Sequence, residues 1–173
     1  MERGAWDEVG VVELRHWAED DLEAFFDIYS RWEVMRWLGP QPRRVLRDLD
    51  EARERLARWQ ARERDLAAPY GLWAIVPDGS AAPVGTVLLL PLHDQDGLTD
   101  EVEIGWHLHP EHQGRGLVTE AARGLLRDAP TGVLALTDPD NHRSQAVARR
   151  LGMQDEGLTD RWFGLTARQF RAP

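Results

Sequence analysis

Residues 101 to 121, EVEIGWHLHPEHQGRGLVTEA, concentrate the groups able to do chemistry. Gln113-Gly114-Arg115-Gly116 is a glycine turn at the mouth of a helical pattern. The unpaired N–H groups of a first helical turn and the positive end of the helix dipole converge there. Such a point binds phosphate. The glycines let a ligand approach the backbone, and Arg115 adds a fixed positive charge. Just upstream, Glu101 and Glu103 sit on the polar face of a strand. A carboxylate in a low-dielectric cleft is a suitable general base. His107 and His109, in H-x-H spacing with His112 and Glu111 nearby, are competent for zinc. Pro110 breaks the strand after His109, however, and no second cluster supplies further ligands, so loop histidines beside a polar ligand are the better reading. Asn141 and Ser144, three residues apart, fall on the first turn of a later helix.

These groups are positioned by a strand that runs into a turn and then a helix. Val102, Ile104, Trp106 and Leu108 alternate with Glu101, Glu103, Gly105 and His107, a period of two that gives a strand with one buried face. Pro110 stops it. Leu117, Ala121 and Leu125 then form one helical row, with Val118, Ala122 and Leu126 beside it. A glycine inside a strand weakens it unless something must come close, which singles out Gly105.

The flanking elements read as follows. Residues 10 to 15 form a first strand, followed by a helix with Asp20 and Glu23 at capping-box spacing and Leu22, Phe25, Phe26 and Tyr29 as its stripe. Trp32 to Leu38 adds another helical turn or two. Residues 45 to 66 form a long helix with Val45, Leu49, Ala52, Leu56, Trp59 and Leu66 inward and Glu51–Arg55 and Glu54–Arg58 as supporting pairs. Residues 70 to 76 and 83 to 90 are strands joined by PDGSAA, and 94 to 100 is a polar loop. Gly132 to Thr137 is a buried strand, Asn141 caps the next helix, and Gly152 ends it. Residues 153 to 158 and 161 to 170 form a closing hairpin around Thr159-Asp160. No repeat, linker or low-complexity segment interrupts the chain, so residues 1 to 173 are expected to form one domain.

The turn is neither the G-x-G-x-x-G of a dinucleotide fold nor a P-loop, since no Gly-Lys-Ser/Thr is present. Gln113-Gly114-Arg115-Gly116-Leu117-Val118 resembles the pyrophosphate signature Q/R-x-x-G-x-G/A of the GNAT acetyltransferases, with Val118 where that family usually has Gly or Ala. The longer pattern E-I-G-W…P-E-H-Q-G-R-G…T-E-A, with Asn141, Ser144 and Leu151-Gly152-Met153, is similar to the ribosomal-protein alanine N-acetyltransferase branch. The resemblance covers about Val12 to Phe170. It implies the GNAT α/β (α+β) fold, a mixed and mostly antiparallel seven-stranded sheet flanked by helices, in which the central strand splays from the next and coenzyme A lies in the wedge.

The activity implied is N-acetylation of a primary amine by direct attack on acetyl-CoA. By resemblance, Gln113, Gly114, Arg115, Gly116, Leu117, Val118 and Thr119 hold the pyrophosphate. His107, Leu108 and His109 pair with the acyl-pantetheine arm, which would also be the visitor at Gly105. Asn141 and Ser144 contact the cofactor, Ser144 also protonates the leaving thiolate, and Glu103 rather than Glu101 is the base. Tyr29, Trp32, Trp37 and Trp73 are candidates to wall the acceptor site. Beside this stand a catalytically silent acyl-CoA-binding or sensing domain and, more distantly, a zinc hydrolase built on the histidines.

Composition narrows the field. No cysteine is present, which excludes a disulfide framework, a thiolate metal site and a cysteinyl acyl-enzyme. The net charge of -9, with arginine in every lysine-or-arginine position, makes a poor generic nucleic-acid binder and a plausible host for a cationic amine, with solubility alone the simpler reading. A protein N-terminus or a small-molecule amine as acceptor is what the resemblance implies. No apolar run reaches the length of a membrane span, and the first ten residues lack a signal-peptide core. The expected setting is cytoplasmic, with no metal and no membrane partner; homodimerisation is left open.

Overall fold

The computed structural model describes residues 12–162 and 164–173. Positions 10 and 11 of the expected first strand, and the N-terminal ten residues, lie outside that range. The chain runs β1 (Val12–His16), α1 (Leu22–Tyr29), α2 (Trp32–Met35), α3 (Leu49–Glu63), β2 (Gly71–Pro77), β3 (Gly85–Asp94) and β4 (Gly97–Leu108). It continues with α4 (Leu117–Leu126), β5 (Leu134–Thr137), α5 (His142–Arg150), β6 (Gln154–Thr159) and β7 (Ala167–Arg171). The seven strands form one sheet in the order β1-β2-β3-β4-β5-β7-β6, antiparallel except where β4 meets β5. That is the expected mixed sheet.

The β2 and β3 runs are apolar because both of their faces are covered. On one face Val87, Leu89, Val102 and Ile104 pack with Leu117, Ala121, Ala122 and Leu125 of α4. On the other, Leu72, Leu88 and Leu90 lie under Trp59 and Leu66, and Phe25, Ile28 and Tyr29 of α1 meet Ala52 and Leu56 of α3. The helical rows of α4 therefore fall where their spacing puts them.

Several boundaries differ from the expectation. The long helix starts at Leu49 rather than 45 because the Asp48 carboxylate accepts the Glu51 N–H at 2.9 Å. The start leaves Leu49 40% exposed and brings Leu46, 2% exposed, into the core instead. Glu51 turns back to Arg44 and Arg47 instead of forward to Arg55. Asp20 and Glu23 do not cap α1. A 3-10 turn at Glu19–Asp21 precedes the helix, and Asp21 accepts from the Ala18 N–H and from Arg15. The loop expected at 94 to 100 is mostly strand, since β3 and β4 continue their pairing to Asp94↔Gly97. The closing hairpin has a connection longer than Thr159-Asp160, because β7 begins only at Ala167.

Gly85 fixes how closely β3 and β4 approach. A Cβ there would collide with the His107 carbonyl oxygen and stand 2.9 Å from Leu108 Cδ1. Gly85→Ala is therefore expected to destabilise the fold by about 1–3 kcal/mol through overpacking. Urea denaturation monitored by tryptophan fluorescence measures this; an unchanged midpoint would mean that β4 can shift freely.

Candidate active site

Between β4 and β5 the sheet opens. Their only pairing among the described residues is Glu103↔Leu134, so the last five residues of β4, Ile104 to Leu108, have no paired residue in β5. In an antiparallel ladder, consecutive residues turn their backbone groups to opposite sides. The His109 N–H is bonded to the Val84 carbonyl at 2.8 Å on the β3 side. By alternation the backbone groups of Trp106 and Leu108 face the opening. Of the residues expected to pair with a pantetheine arm, His107 and His109 thus have their backbone turned to β3, and Leu108 presents its backbone to the wedge.

The opening leads into a cavity of about 1490 Å³ lined by Trp106, His107 and Leu108 of β4, by the turn into α4, by the start of α5, and by Glu33, Arg36, Trp37 and Leu38 from the segment around α2. Gly114 and Gly116 have φ of 79° and 77°, a left-handed conformation that L side chains rarely adopt. A Cβ on either would meet nothing within 4 Å, so the space above the turn is free. The Glu120 N–H bonds the Gly116 carbonyl at 3.0 Å. The three helical residues before it, Leu117, Val118 and Thr119, have no carbonyl one turn back, and their N–H groups are available to an anion. The site fits a pyrophosphate.

Gln113, Gly114, Gly116, Leu117, Val118, Thr119, Asn141, Ser144, His107 and Leu108 all line this cavity. Three candidates do not. Arg115 projects away from it, its guanidinium 3.1 Å from His112 Nδ1. His109 is 4% exposed, with Nδ1 accepting the Glu111 N–H at 3.2 Å and Nε2 beside Asp27. Glu103 lies deeper along β4, facing the α3 side; burial pushes its carboxyl up to about 7, opposed by the positive charge of Arg62. Among the described residues no group of three or more His, Cys, Asp or Glu is placed to hold a metal ion.

Asn141 caps α5, its Oδ1 accepting the Ser144 N–H at 3.2 Å, which leaves its amide N–H₂ group to donate elsewhere. Ser144 Oγ accepts the indole N–H of Trp106 at 3.0 Å, so its own proton is free to point into the cavity. Trp106, expected on the core side, packs part-buried against the core while its ring also edges the cavity and orients Ser144. Gly105, expected to admit a visitor, is filled from within, since its Cβ position lies 3.1 Å from Leu88 Cδ1. Of the aromatic candidates only Trp37 is on the wall; Tyr29 and Trp73 are buried and Trp32 is 52% exposed.

Sequence reasoning missed four arginines of this wall: Arg36, Arg123, Arg143 and Arg150. Arg143 donates to Gln113 Oε1 and Arg150 to Thr119 Oγ1, tying α5 to the turn. Their signal was the helical spacing, Arg143 and Arg150 being seven apart with Ser144 and Val147 between them. Charged helix residues usually mark a solvated face, so the spacing alone did not separate them.

A family model described as the acetyltransferase (GNAT) domain matches residues 12–154. A Bacillus subtilis (strain 168) protein, YdaF, provisionally named a ribosomal N-acetyltransferase, is 31% identical over 74 residues, 40% of each chain. The match thus spans well under two thirds of that curated relative's length. Among solved structures, an acetyltransferase from Agrobacterium tumefaciens str. C58 superposes with a TM-score of 0.71 at 23% identity, covering 96% of this chain and 92% of its own. RimL, a ribosomal L7/L12 alpha-N-protein acetyltransferase solved in complex with coenzyme A, gives 0.71 at 19% identity over 94% and 93%. These two likenesses establish the fold. Among the described residues no helix is long and apolar enough to cross a membrane.

Proposed function

The chain belongs to the GNAT acetyltransferase family, and on that premise we propose that it transfers the acetyl group of acetyl-CoA directly to a primary amine. The observation that carries this is the splay of β4 from β5, with an anion-ready helix start on one wall and the Asn141–Ser144 turn beside it. The names of the relatives favour a protein N-terminus as acceptor, and a cationic small amine is the other member of the class.

In this reading the α4 turn holds the pyrophosphate, with Arg123, Arg143 and Arg150 of the wall beside it. Trp106 and Leu108 offer backbone groups to the acyl-pantetheine arm. Glu103 takes the ammonium proton through water, since residues four apart on a strand stand roughly 13 Å from each other and Glu103 lies that far below His107. Once the amine nitrogen has bonded the carbonyl carbon it carries a surplus proton. As the C–S bond breaks, Ser144 passes its hydroxyl proton to the departing sulfur and is reprotonated from that nitrogen through water. Asn141 donates its amide to the cofactor. An acceptor panel of peptides, aminoglycosides and polyamines, read by free thiol release from acetyl-CoA, tests the reading. Turnover with at least one amine supports it; tight acetyl-CoA binding without release across the panel would make the chain an acyl-CoA sensor.

Ser144→Ala and Asn141→Ala should differ in kind. A coenzyme A thiol resembles cysteine, with a pKa of ~8.5, so its thiolate is a tolerable leaving group and Ser144→Ala should cost no more than about tenfold in kcat. Acetyl-CoA affinity should be nearly unchanged. Asn141→Ala removes a helix cap worth ~1 kcal/mol as well as a cofactor contact, so its KM for acetyl-CoA should rise and its melting temperature fall. A silent Ser144→Ala beside a severe Asn141→Ala would leave the α5 turn a binding element and give the proton to water.

A further inference from the structure

His107 lines the cavity, yet its polar partners come from behind the sheet face. Its Nδ1 lies 3.0 Å from the Tyr29 hydroxyl, and that hydroxyl lies 2.7 Å from Thr86 Oγ1. Tyr29 is 1% exposed and Thr86 0%. The three groups come from α1, β3 and β4, and Thr86 stands directly across the ladder from His107.

The direction of this chain follows from counting protons. Among the described residues the Thr86 hydroxyl has Tyr29 as its one hydrogen-bond partner. A buried hydroxyl proton without an acceptor is costly, so Thr86 must donate to Tyr29 Oη. Tyr29 has one proton, which then goes to its other hydrogen-bond partner among the described residues, His107 Nδ1. An Nδ1 that accepts carries no proton in a neutral imidazole, so the proton sits on Nε2. Nε2 makes no hydrogen bond among the described residues, and His107 lines the cavity.

We propose that His107 is a further catalytic residue: a neutral imidazole that donates its Nε2–H to the carbonyl oxygen of the bound thioester, held in that tautomer by Thr86 and Tyr29. The proposal rests on the acetyl-transfer reading. As the amine nitrogen bonds the carbonyl carbon, the C=O pair moves onto oxygen, and the hydrogen bond from Nε2 strengthens. The ammonium proton goes to the base, the pair returns as the C–S bond breaks, and the sulfur leaves with the bonding electrons. No proton leaves His107, so the group is ready for the next turnover.

Surrounding charge fits this role. Burial and the positive charge of Arg55 on α3 hold the His107 imidazolium down to about 4, so the ring stays neutral. Burial likewise raises Tyr29, so its hydroxyl keeps the proton it must donate. Glu101 and Glu103 are the acidic residues on the same strand face, and Glu101 is held by Arg171. A neutral imidazole with so low a basicity is poorly matched to deprotonate an ammonium group and well matched to donate a hydrogen bond.

The test is nitrogen-15 NMR of imidazole-labelled protein together with kinetics. The unaltered protein should give the Nε2–H tautomer for His107 from pH 5.5 to pH 9, and Tyr29→Phe or Thr86→Val should give a mixture. Tyr29→Phe should lower kcat at least about twofold with unchanged acetyl-CoA affinity, because part of the population then holds the wrong tautomer. His107→Phe should lose about 10²-fold in kcat. His107→Gln, which keeps an N–H donor, should recover part of it while binding acetyl-CoA equally. An Nδ1–H signature in the unaltered protein overturns the proposal, as does a kcat that persists in folded His107→Phe. Absence of acyl transfer by the unaltered protein would instead remove the reading on which it rests, whatever the tautomer.

Discussion

Glu103→Gln is expected to lower kcat/KM at pH 7 by roughly 10²-fold and to recover much of it above about pH 9. The substitution keeps size and hydrogen bonding but cannot accept the ammonium proton, whereas alkaline solution supplies neutral amine unaided. In the unaltered protein the rate should rise with pH through an inflection near about 7, where burial has moved the Glu103 carboxyl. That inflection should vanish in the variant. The same shift has a stability consequence whose sign is opposite to the usual carboxylate case. The folded state holds a proton on Glu103 at pH values where the unfolded chain has released it, so stability falls as pH rises through about 7. Glu103→Gln should therefore raise the melting temperature at pH 8.5 relative to the unaltered protein, and less so at pH 5. An unchanged pH–rate profile would transfer the base role to bulk water, because His107 is too weakly basic to take it.

Gly116→Val should reduce coenzyme A affinity by at least about 10²-fold while leaving pantetheine affinity nearly unchanged. The residue sits at φ 77°, where a β-branched side chain is a strained outlier. Its added atoms would enter the empty space above the turn, which is where phosphate oxygens must come to reach the Leu117–Thr119 N–H groups. Hydrogen bonds to charged groups are worth about 1.5–3 kcal/mol each, so losing even two of them accounts for that factor. The unaltered protein should in turn bind coenzyme A on the order of 10³-fold tighter than pantetheine in calorimetry. The left-handed strain costs about 1–3 kcal/mol, so the melting temperature should fall by several degrees, and the retained pantetheine affinity shows that the pocket survives. Equal binding of the two ligands would mean that the turn only starts a helix.

Much of this arrangement can be read from the chain, and the limits are physical. Alternation over Val102–Leu108 defines a strand face because a half-buried strand has a period of two, and the strand–glycine–helix order defines an anion site because helix starts have unpaired donors. Asn141 is legible as a cap for the same local reason. Alternation does not give depth, however: Glu103 and His107 share a face, but only His107 reaches the cavity. Gly105 signals a close approach without naming the visitor, which is Leu88 on the next strand. The pairing of Trp106 with Ser144 and of Tyr29 with His107 joins residues 38 and 78 positions apart, and no local pattern encodes such contacts. Leu46 and Leu49 exchange roles because Asp48 starts the helix one residue before Leu49, a choice made by one side-chain hydrogen bond.

The central claim is that the wedge between β4 and β5 holds the acyl donor, and a crystal structure of the protein with acetyl-CoA tests it most directly. The account predicts the pyrophosphate on the N–H groups of Leu117 to Thr119, the pantetheine arm beside Trp106 and Leu108, and the thioester within reach of Ser144 and His107 Nε2. Acetyl-CoA bound outside this wedge, or with its phosphates away from the α4 turn, would contradict it.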